Sequence, residues 1–164
     1  MSEEYNKAVE KAGIYLSAGA KTEFQIRNKL EDKGFETHVI EKVVKELVRN
    51  SYIDDISYTE LYLDYGMSKG RGLYRIRQEL KQRGVSSDNI EKGFKAYESN
   101  RNEDLILLEE ELCFQLVRKF LPKTDREYIE KRDVEKIIRK LSNLGYAYGL
   151  IFKVLRQEGI NNYE

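Results

Sequence analysis

Several residue types are scarce in this sequence, and each scarcity excludes a class of protein. Of its 164 residues, one is proline, one is cysteine, one is histidine and none is tryptophan. A single cysteine allows no internal disulfide, which suits a reducing compartment. Metal sites of the His/Cys type lack enough ligands, and a catalytic triad would depend on His38 alone. We therefore expect no enzyme activity and no cofactor, and helices that proline does not interrupt.

Long apolar runs and an excess of charge of one sign are missing as well. No stretch approaches the roughly 20 apolar residues that span a bilayer. The segment Met1–Lys11 is polar and charged, unlike a signal peptide. The expectation is a cytoplasmic protein with no membrane partner. Basic and acidic residues number 29 each, so the net charge of zero provides no general attraction for nucleic acid.

One pattern is present three times. Isoleucine is followed by leucine four residues later, by glycine after four more, then by an apolar residue and, five residues on, by isoleucine. The copies begin at Ile26, Ile76 and Ile137. Apolar residues four apart lie on one helical face, and glycine supplies the left-handed conformation that ends many helices. Each copy therefore predicts a helix, a turn and a second helix.

A further helix is expected before each copy, because apolar stripes begin at Tyr5, Tyr58 and Leu105. No alternation of period two persists, so we expect essentially no sheet. The predicted fold is all-α: three tandem three-helix repeats, helix-turn-helix-like, stacked into an elongated, curved body. The predicted repeats span 3–53, 54–99 and 100–164.

Most polar residues at notable positions have a structural interpretation. Asp54 or Asp55 suits the N-cap of the second repeat's first helix. Cys113 lies in an apolar stripe and is expected in the core. The run Glu109–Glu111 is expected to form a solvated helix face, and His38 a surface position near a helix start. Other expected N-caps are Thr22 (in a capping box with Gln25), Gly72, Asp133, Thr37 and Ser87.

The basic segment from Lys69 to Arg83 is the best candidate for binding. It holds six basic residues and one acid. Gly70-Arg71-Gly72 does not fit the dinucleotide fingerprint, since the third glycine is missing, but amides at the helix start that follows attract anions. Tyr65 and Tyr74 lie nearby and suit stacking on bases or guanidinium groups. The candidate residues are Lys69, Arg71, Arg75, Arg77, Lys81 and Arg83.

An anionic partner of this segment is either a phosphate backbone or an acidic protein surface, and charge alone does not separate the two. An ordinary solvated helix face is the structural alternative.

The second repeat closely resembles the RecX family. The resemblance rests on the run Tyr52-Ile53-Asp54-Asp55 with Tyr58 and Tyr62, and on Lys69-Gly70-x-Gly72-x2-Arg75-Ile76-Arg77-x-Glu79-Leu80-x2-Arg83-Gly84-Val85. The first repeat fits through Thr22-x2-Gln25-Ile26-x2-Lys29-Leu30-x3-Gly34-Phe35. The match runs from about Ala8 to Tyr97, and the third repeat agrees only in its spacing.

The resemblance implies a bacterial regulator of the RecA recombinase, acting in DNA repair, recombination and the SOS response. It implies three tandem three-helix repeats that lodge in the groove of the RecA–DNA filament. Lys69, Arg75, Arg77 and Arg83 match basic positions of the family. Gly66 and Ser68 stand where the family often has arginine, which favours contact with the protein filament and leaves DNA as a secondary ligand.

The hypothesis from the sequence is therefore a non-enzymatic, monomeric inhibitor of the RecA filament. The first alternative is a stand-alone DNA-binding protein whose recognition helices contain Ile40, Ile90 and Ile151. Those helices alternate in charge and carry no arginine cluster for base readout. A helical scaffold for another acidic protein is the second alternative.

Overall fold

The computed structural model describes residues 3–161 and 163, and within these residues every regular element is helical. This confirms the predicted all-α fold. A single 3-10 turn, Arg126–Tyr128, lies between the seventh and eighth helices. The α-helices are α1 Glu3–Ser17, α2 Glu23–Asp32, α3 Thr37–Arg49, α4 Asp55–Ser68, α5 Leu73–Gln82, α6 Ser87–Arg101, α7 Leu105–Phe120, α8 Lys131–Asn143 and α9 Tyr148–Gln157.

The three repeated glycines end helices α2, α5 and α8 as predicted. Gly34, Gly84 and Gly145 have φ of 82°, 80° and 95°. In each copy the amide of the following apolar residue donates to a carbonyl five residues earlier; the distance from Phe35 N to Leu30 O, for example, is 3.3 Å. This pairing satisfies carbonyls that the helix end leaves open, and it needs the left-handed residue.

The predicted helix starts are partly confirmed. Thr22 forms the expected capping box with Gln25 before α2. The predicted cap Asp133 is wrong, because α8 begins at Lys131 and Asp133 lies inside its first turn. Thr37 and Ser87 are likewise the first helical residues of α3 and α6, and not their caps. The cap before α6 is Ser86, whose hydroxyl accepts from the Asn89 amide at 3.1 Å.

The chain divides into two compact units, and helices α4, α5 and α6 contribute to both. Unit 1 comprises Met1–Leu61 and Glu79–Tyr97. Its main core lies among α1, α2 and α3, where Ile26, Leu30 and Val43 are fully buried. Burying each such side chain stabilises the fold by about 1.5–3 kcal/mol, so the apolar stripes of the first repeat hold these three helices together.

Unit 2 comprises Tyr62–Gln78 and Glu98–Glu164. Its core joins α7, α8 and α9 through Val117, Leu141 and Ile151, all fully buried. Cys113 belongs to the same core, as predicted. In α7 the fully buried residues are therefore Cys113 and Val117. Leu112 and Leu116, each one position earlier in the sequence, are only half-buried.

The predicted repeat boundaries, 3–53, 54–99 and 100–164, remain a prediction. Within the ranges that the structure describes, no helix combines the length and the apolar character that crossing a membrane requires.

Candidate interface of basic residues

The six predicted binding residues fall into both compact units, so each unit is described by itself. Lys69, Arg71, Arg75 and Arg77 belong to unit 2, around the end of α4 and the start of α5. Lys81 and Arg83 belong to unit 1, at the end of α5. The two lysines are exposed and the four arginines are half-buried, which already separates the set into two kinds of residue.

In unit 2, Tyr65 contacts the cations of its own chain. The Lys69 ammonium lies 5.8 Å from the centre of the Tyr65 ring, and the Arg71 guanidinium lies 5.2 Å from it. Arg71 also donates to the Tyr62 hydroxyl at 3.3 Å. A cation over an aromatic face is attracted by the ring's negative charge distribution. These contacts order the turn between α4 and α5, while the Tyr74 ring remains exposed.

Arg75 and Arg77 also have partners within unit 2. The Arg75 guanidinium donates to the Asn143 carbonyl at 3.2 Å. Burial lowers the pKa of Arg77, and the negative charge of Glu109 acts in the opposite direction. Both arginines therefore contribute to packing and electrostatics inside the unit, in addition to any contact with a partner.

The start of α5 is not an open anion site, which corrects the expectation from the sequence. The Gly72 amide donates to the Leu144 carbonyl at 2.8 Å, and the Leu73 amide donates to a Glu109 carboxylate oxygen at 2.7 Å. The carboxylate of Glu109 occupies the position that a bound phosphate would need, so its negative charge already complements the positive end of the helix dipole.

Glu109 holds the start of α5, a structural role that the sequence interpretation missed. The run Glu109–Glu111 was expected to be solvated, but Glu109 is half-buried and burial raises the pKa of its carboxyl. Glu110 is half-buried and pairs with Lys153 at 2.7 Å, whereas Glu111 is exposed. The available signal was spacing: Glu109 lies four residues from both Leu105 and Cys113, on the buried row of α7.

In unit 1, Lys81 lies in the last turn of α5 and its side chain is exposed. Arg83 is half-buried, with its guanidinium 3.5 Å from the Tyr58 hydroxyl. The Arg83 carbonyl accepts from the Thr22 hydroxyl at 2.7 Å. Arg83 thus has a structural role through its backbone, whatever its side chain contacts.

The adjacent acids Asp54 and Asp55 have different roles. Asp54 caps α4, accepting from the Ile56 and Ser57 amides at 3.0 Å, and these bonds lower the pKa of its carboxyl. Asp55 accepts from the Glu23 amide at 2.9 Å, and burial raises its pKa. The predicted capping role is confirmed for Asp54, and Asp55 instead anchors the start of α2.

The two residues considered for catalysis have different surroundings. His38 is exposed beside the Glu36 carboxylate, at 3.1 Å. Burial raises the pKa of the Cys113 thiol to about 12, so this thiol stays protonated and weakly nucleophilic. Among residues 3–161 and 163, no three or more His, Cys, Asp or Glu side chains are grouped so that they could hold a metal ion.

Comparison with known proteins assigns this architecture to a class. Two family models match the chain: the first three-helix domain of RecX over residues 8–47, and its second three-helix domain over residues 54–93. The molecule is thus a protein of tandem three-helix domains of the RecX type.

Named relatives extend the match along most of the chain. "Regulatory protein RecX" of Clostridium acetobutylicum is 31% identical over 161 residues, which cover 94% of this chain and 70% of that protein. The protein of the same name in Streptococcus uberis is 27% identical over 138 residues, 84% of this chain but only 50% of the relative's length. The chain belongs to the RecX family of regulatory proteins.

Two solved structures share the fold. The crystal structure of RecX from Lactobacillus salivarius superposes with a TM-score of 0.79 at 20% identity, covering 96% of this chain and 97% of that one. A crystal structure of regulatory protein RecX gives a TM-score of 0.74 at 23% identity, covering 94% and 72% of the two chains. At these identities the likeness concerns the fold.

Proposed function

We propose that this chain inhibits the RecA recombinase by binding the RecA–DNA filament, and thereby regulates DNA repair and recombination. The observation that carries the proposal is membership of the RecX family, supported by the 31% identity to a named regulatory protein along 94% of the chain. In this proposal the chain is a monomer in the cytoplasm. It acts by binding its partner, without enzyme activity and without a cofactor.

The proposed mechanism is a shift in filament conformation. A bound protein changes the equilibrium between two filament states only if it binds one of them more tightly. A helical protein that bridges neighbouring RecA protomers would do so, and would slow ATP turnover and strand exchange. The filament is the proposed partner and DNA a secondary ligand, because the net charge of zero provides little attraction for phosphate.

Within the predicted basic segment, we assign the partner contact first to Lys69 and Lys81. Both side chains are exposed. The four arginines are half-buried and have partners in their own units, so their substitution would disturb packing as well as binding. Arg71, Arg75, Arg77 and Arg83 are proposed to support the segment and to contribute charge at its edge.

The test uses the double variant Lys69→Glu/Lys81→Glu. We expect inhibition of the DNA-dependent ATPase of RecA to weaken by roughly tenfold or more, a change of about 1.4 kcal/mol in binding. The matched control is Lys92→Glu/Lys119→Glu, which reverses one exposed lysine in each unit; Lys119, like Lys81, lies in a last helical turn. If Lys69→Glu/Lys81→Glu inhibits RecA as strongly as the control variant does, the basic segment is not part of the contact surface.

Two further outcomes address the proposal as a whole. If the unchanged chain does not inhibit RecA, the proposed function is wrong. Binding to duplex DNA in the absence of RecA, with affinity that falls steeply as salt rises, would instead support the stand-alone DNA-binding alternative. Helical circular dichroism of every variant provides the check on folding.

A further inference from the structure

Unit 1 contains a groove whose lining includes no residue of the basic segment. It lies between α1 and α3, has a volume of about 350 Å³, and is lined by Tyr5, Val39, Glu46 and four basic side chains. This volume is within the range of about 300–1,000 Å³ that is usual for ligand sites. We call it the α3 groove; its basic residues are His38, Lys42, Lys45 and Arg49.

The basic residues of the α3 groove form one row along the helix. They follow one another at steps of four, three and four residues, which places them on one face of α3. All are exposed. Among the residues that the structure describes, no acid forms a salt bridge with Lys42, Lys45 or Arg49. Elsewhere in unit 1 the exposed lysines Lys7 and Lys92 each pair with an acid four residues away.

The floor of the α3 groove is apolar. The Val39 side chain is 2% exposed and the Tyr5 side chain 9% exposed. The Tyr5 hydroxyl donates to the Glu46 carboxylate, which joins α1 to α3 across the groove. This bond is the main cause of the raised pKa of Tyr5, which the nearby charge of Arg49 opposes. Glu46 is therefore held by Tyr5, and Lys42, Lys45 and Arg49 leave the groove with an excess of positive charge.

An apolar floor beneath a row of cations is complementary to an acidic peptide with an apolar side chain. Nucleic acid fits less well for two reasons. The Tyr5 ring is nine-tenths buried and presents no open face on which a base could stack. The Glu46 carboxylate lies within the groove and repels a continuous phosphate backbone. Separate carboxylates on either side of an apolar anchor avoid that repulsion.

We propose that the α3 groove binds an acidic segment of a partner protein. One bulky apolar side chain of that segment enters the groove above Val39. It packs against the small accessible part of Tyr5 and the aliphatic stems of Lys42 and Lys45, where contact with water is lost on both sides. Carboxylates beside it pair with Lys42, Lys45 and Arg49. The proposal goes beyond inhibition of RecA and is tested without RecA, so either proposal can fail while the other stands.

The probes are fluorescent peptides of about a dozen residues, with several glutamates on both sides of one central residue. The central residue is leucine, isoleucine or phenylalanine, with alanine as the reference. We expect at least one of the bulky peptides to bind the full chain roughly tenfold more tightly than the alanine peptide, by fluorescence anisotropy at moderate salt. Equal binding of all four peptides, or no binding of any, would overturn the proposal.

The variant Lys42→Glu/Lys45→Glu is expected to reduce affinity for the bulky peptide by roughly tenfold or more. Its control, Lys92→Glu/Lys95→Glu, reverses two exposed lysines at the same spacing of three on α6 in the same unit. Equal affinity of the two variants would overturn the proposed site. An oligothymidylate that binds as tightly as the peptide, and loses affinity in Lys42→Glu/Lys45→Glu, would identify a phosphate site instead.

Discussion

Two junctions in this molecule perform the same task with different chemistry. The first lies in unit 1, where the start of α2 meets the turn after α5. The second lies in unit 2, where the start of α5 meets the turn after α8. In each, a helix-start amide donates to a carboxylate from a third helix: Glu23 to Asp55 at 2.9 Å, and Leu73 to Glu109 at 2.7 Å.

The junctions differ in the bond that holds the turn. In the first, the fully buried Thr22 donates through its hydroxyl to the Arg83 carbonyl at 2.7 Å. In the second, Gly72 occupies the equivalent place and donates through its backbone amide to the Leu144 carbonyl at 2.8 Å. A side chain can reach across a gap, whereas a backbone amide requires close approach, so the second junction depends on the missing Cβ of glycine.

The carboxylates of the two junctions also differ in their surroundings. Burial is the main cause of the raised pKa of both Asp55 and Glu109. The charges of Glu23 and Asp54 raise the pKa of Asp55 further, whereas the charge of Arg77 opposes the increase at Glu109. The basic segment thus provides the second junction with a counter-charge that the first junction lacks.

The largest expected effect comes from closing the space at the second junction. In Gly72→Ala, the new Cβ would lie 2.6 Å from the Gly145 carbonyl oxygen and 2.7 Å from its carbon, both backbone atoms. We expect a loss in the free energy of unfolding toward the upper end of the roughly 1–3 kcal/mol that overpacking usually costs, because the clashing atoms belong to the backbone. Urea unfolding followed by circular dichroism measures it.

The control for that change is Gly149→Ala in α9, where a new Cβ meets nothing within 4 Å. Since alanine favours helix over glycine, this variant should be neutral or slightly more stable. An equally mild effect of Gly72→Ala would show that the junction does not need close backbone approach.

At the first junction, Thr22→Val keeps the shape of the side chain and removes its hydroxyl. The capping box is lost and the Arg83 carbonyl loses its donor, so we expect a loss of about 1–2 kcal/mol. Thr22→Ser, which keeps the hydroxyl, should recover much of this loss in the same unfolding experiment. If valine and serine behave alike, the junction is held by packing and not by the hydroxyl.

The smallest expected effect concerns pH. Because the folded-state pKa of Glu109 is raised, folding favours its protonated form, and stability contributed by this group falls as pH rises from the unfolded pKa through the folded one. Glu109→Gln removes the titration and keeps an oxygen acceptor for Leu73. Relative to the unchanged chain, this variant should therefore gain stability across that pH window, measured by thermal unfolding.

If the difference in stability between Glu109→Gln and the unchanged chain does not vary with pH, the raised pKa of the half-buried Glu109 carboxyl is contradicted. Asp55→Asn provides the parallel test at the first junction, where the sign is the same because the pKa of Asp55 is also raised.

Local features were predictable because their partners are close in sequence. The capping box of Thr22 joins residues three apart, and each glycine turn joins residues at most five apart. The role of Glu109 was not predicted, since its partner Leu73 lies 36 residues away in the sequence. The same holds for Arg75, whose partner Asn143 is 68 residues away.

The spacing of apolar residues and glycines was sufficient to predict the all-α fold and its repeated turns, since helix periodicity and left-handed turns depend on neighbouring residues. The family was expected from the resemblance of motifs between about Ala8 and Tyr97. Only the tertiary structure could divide the basic segment into exposed lysines and half-buried arginines, and assign Glu109 to the start of α5. Burial and long-range hydrogen bonds depend on which helices meet, and that arrangement is a property of the packed molecule.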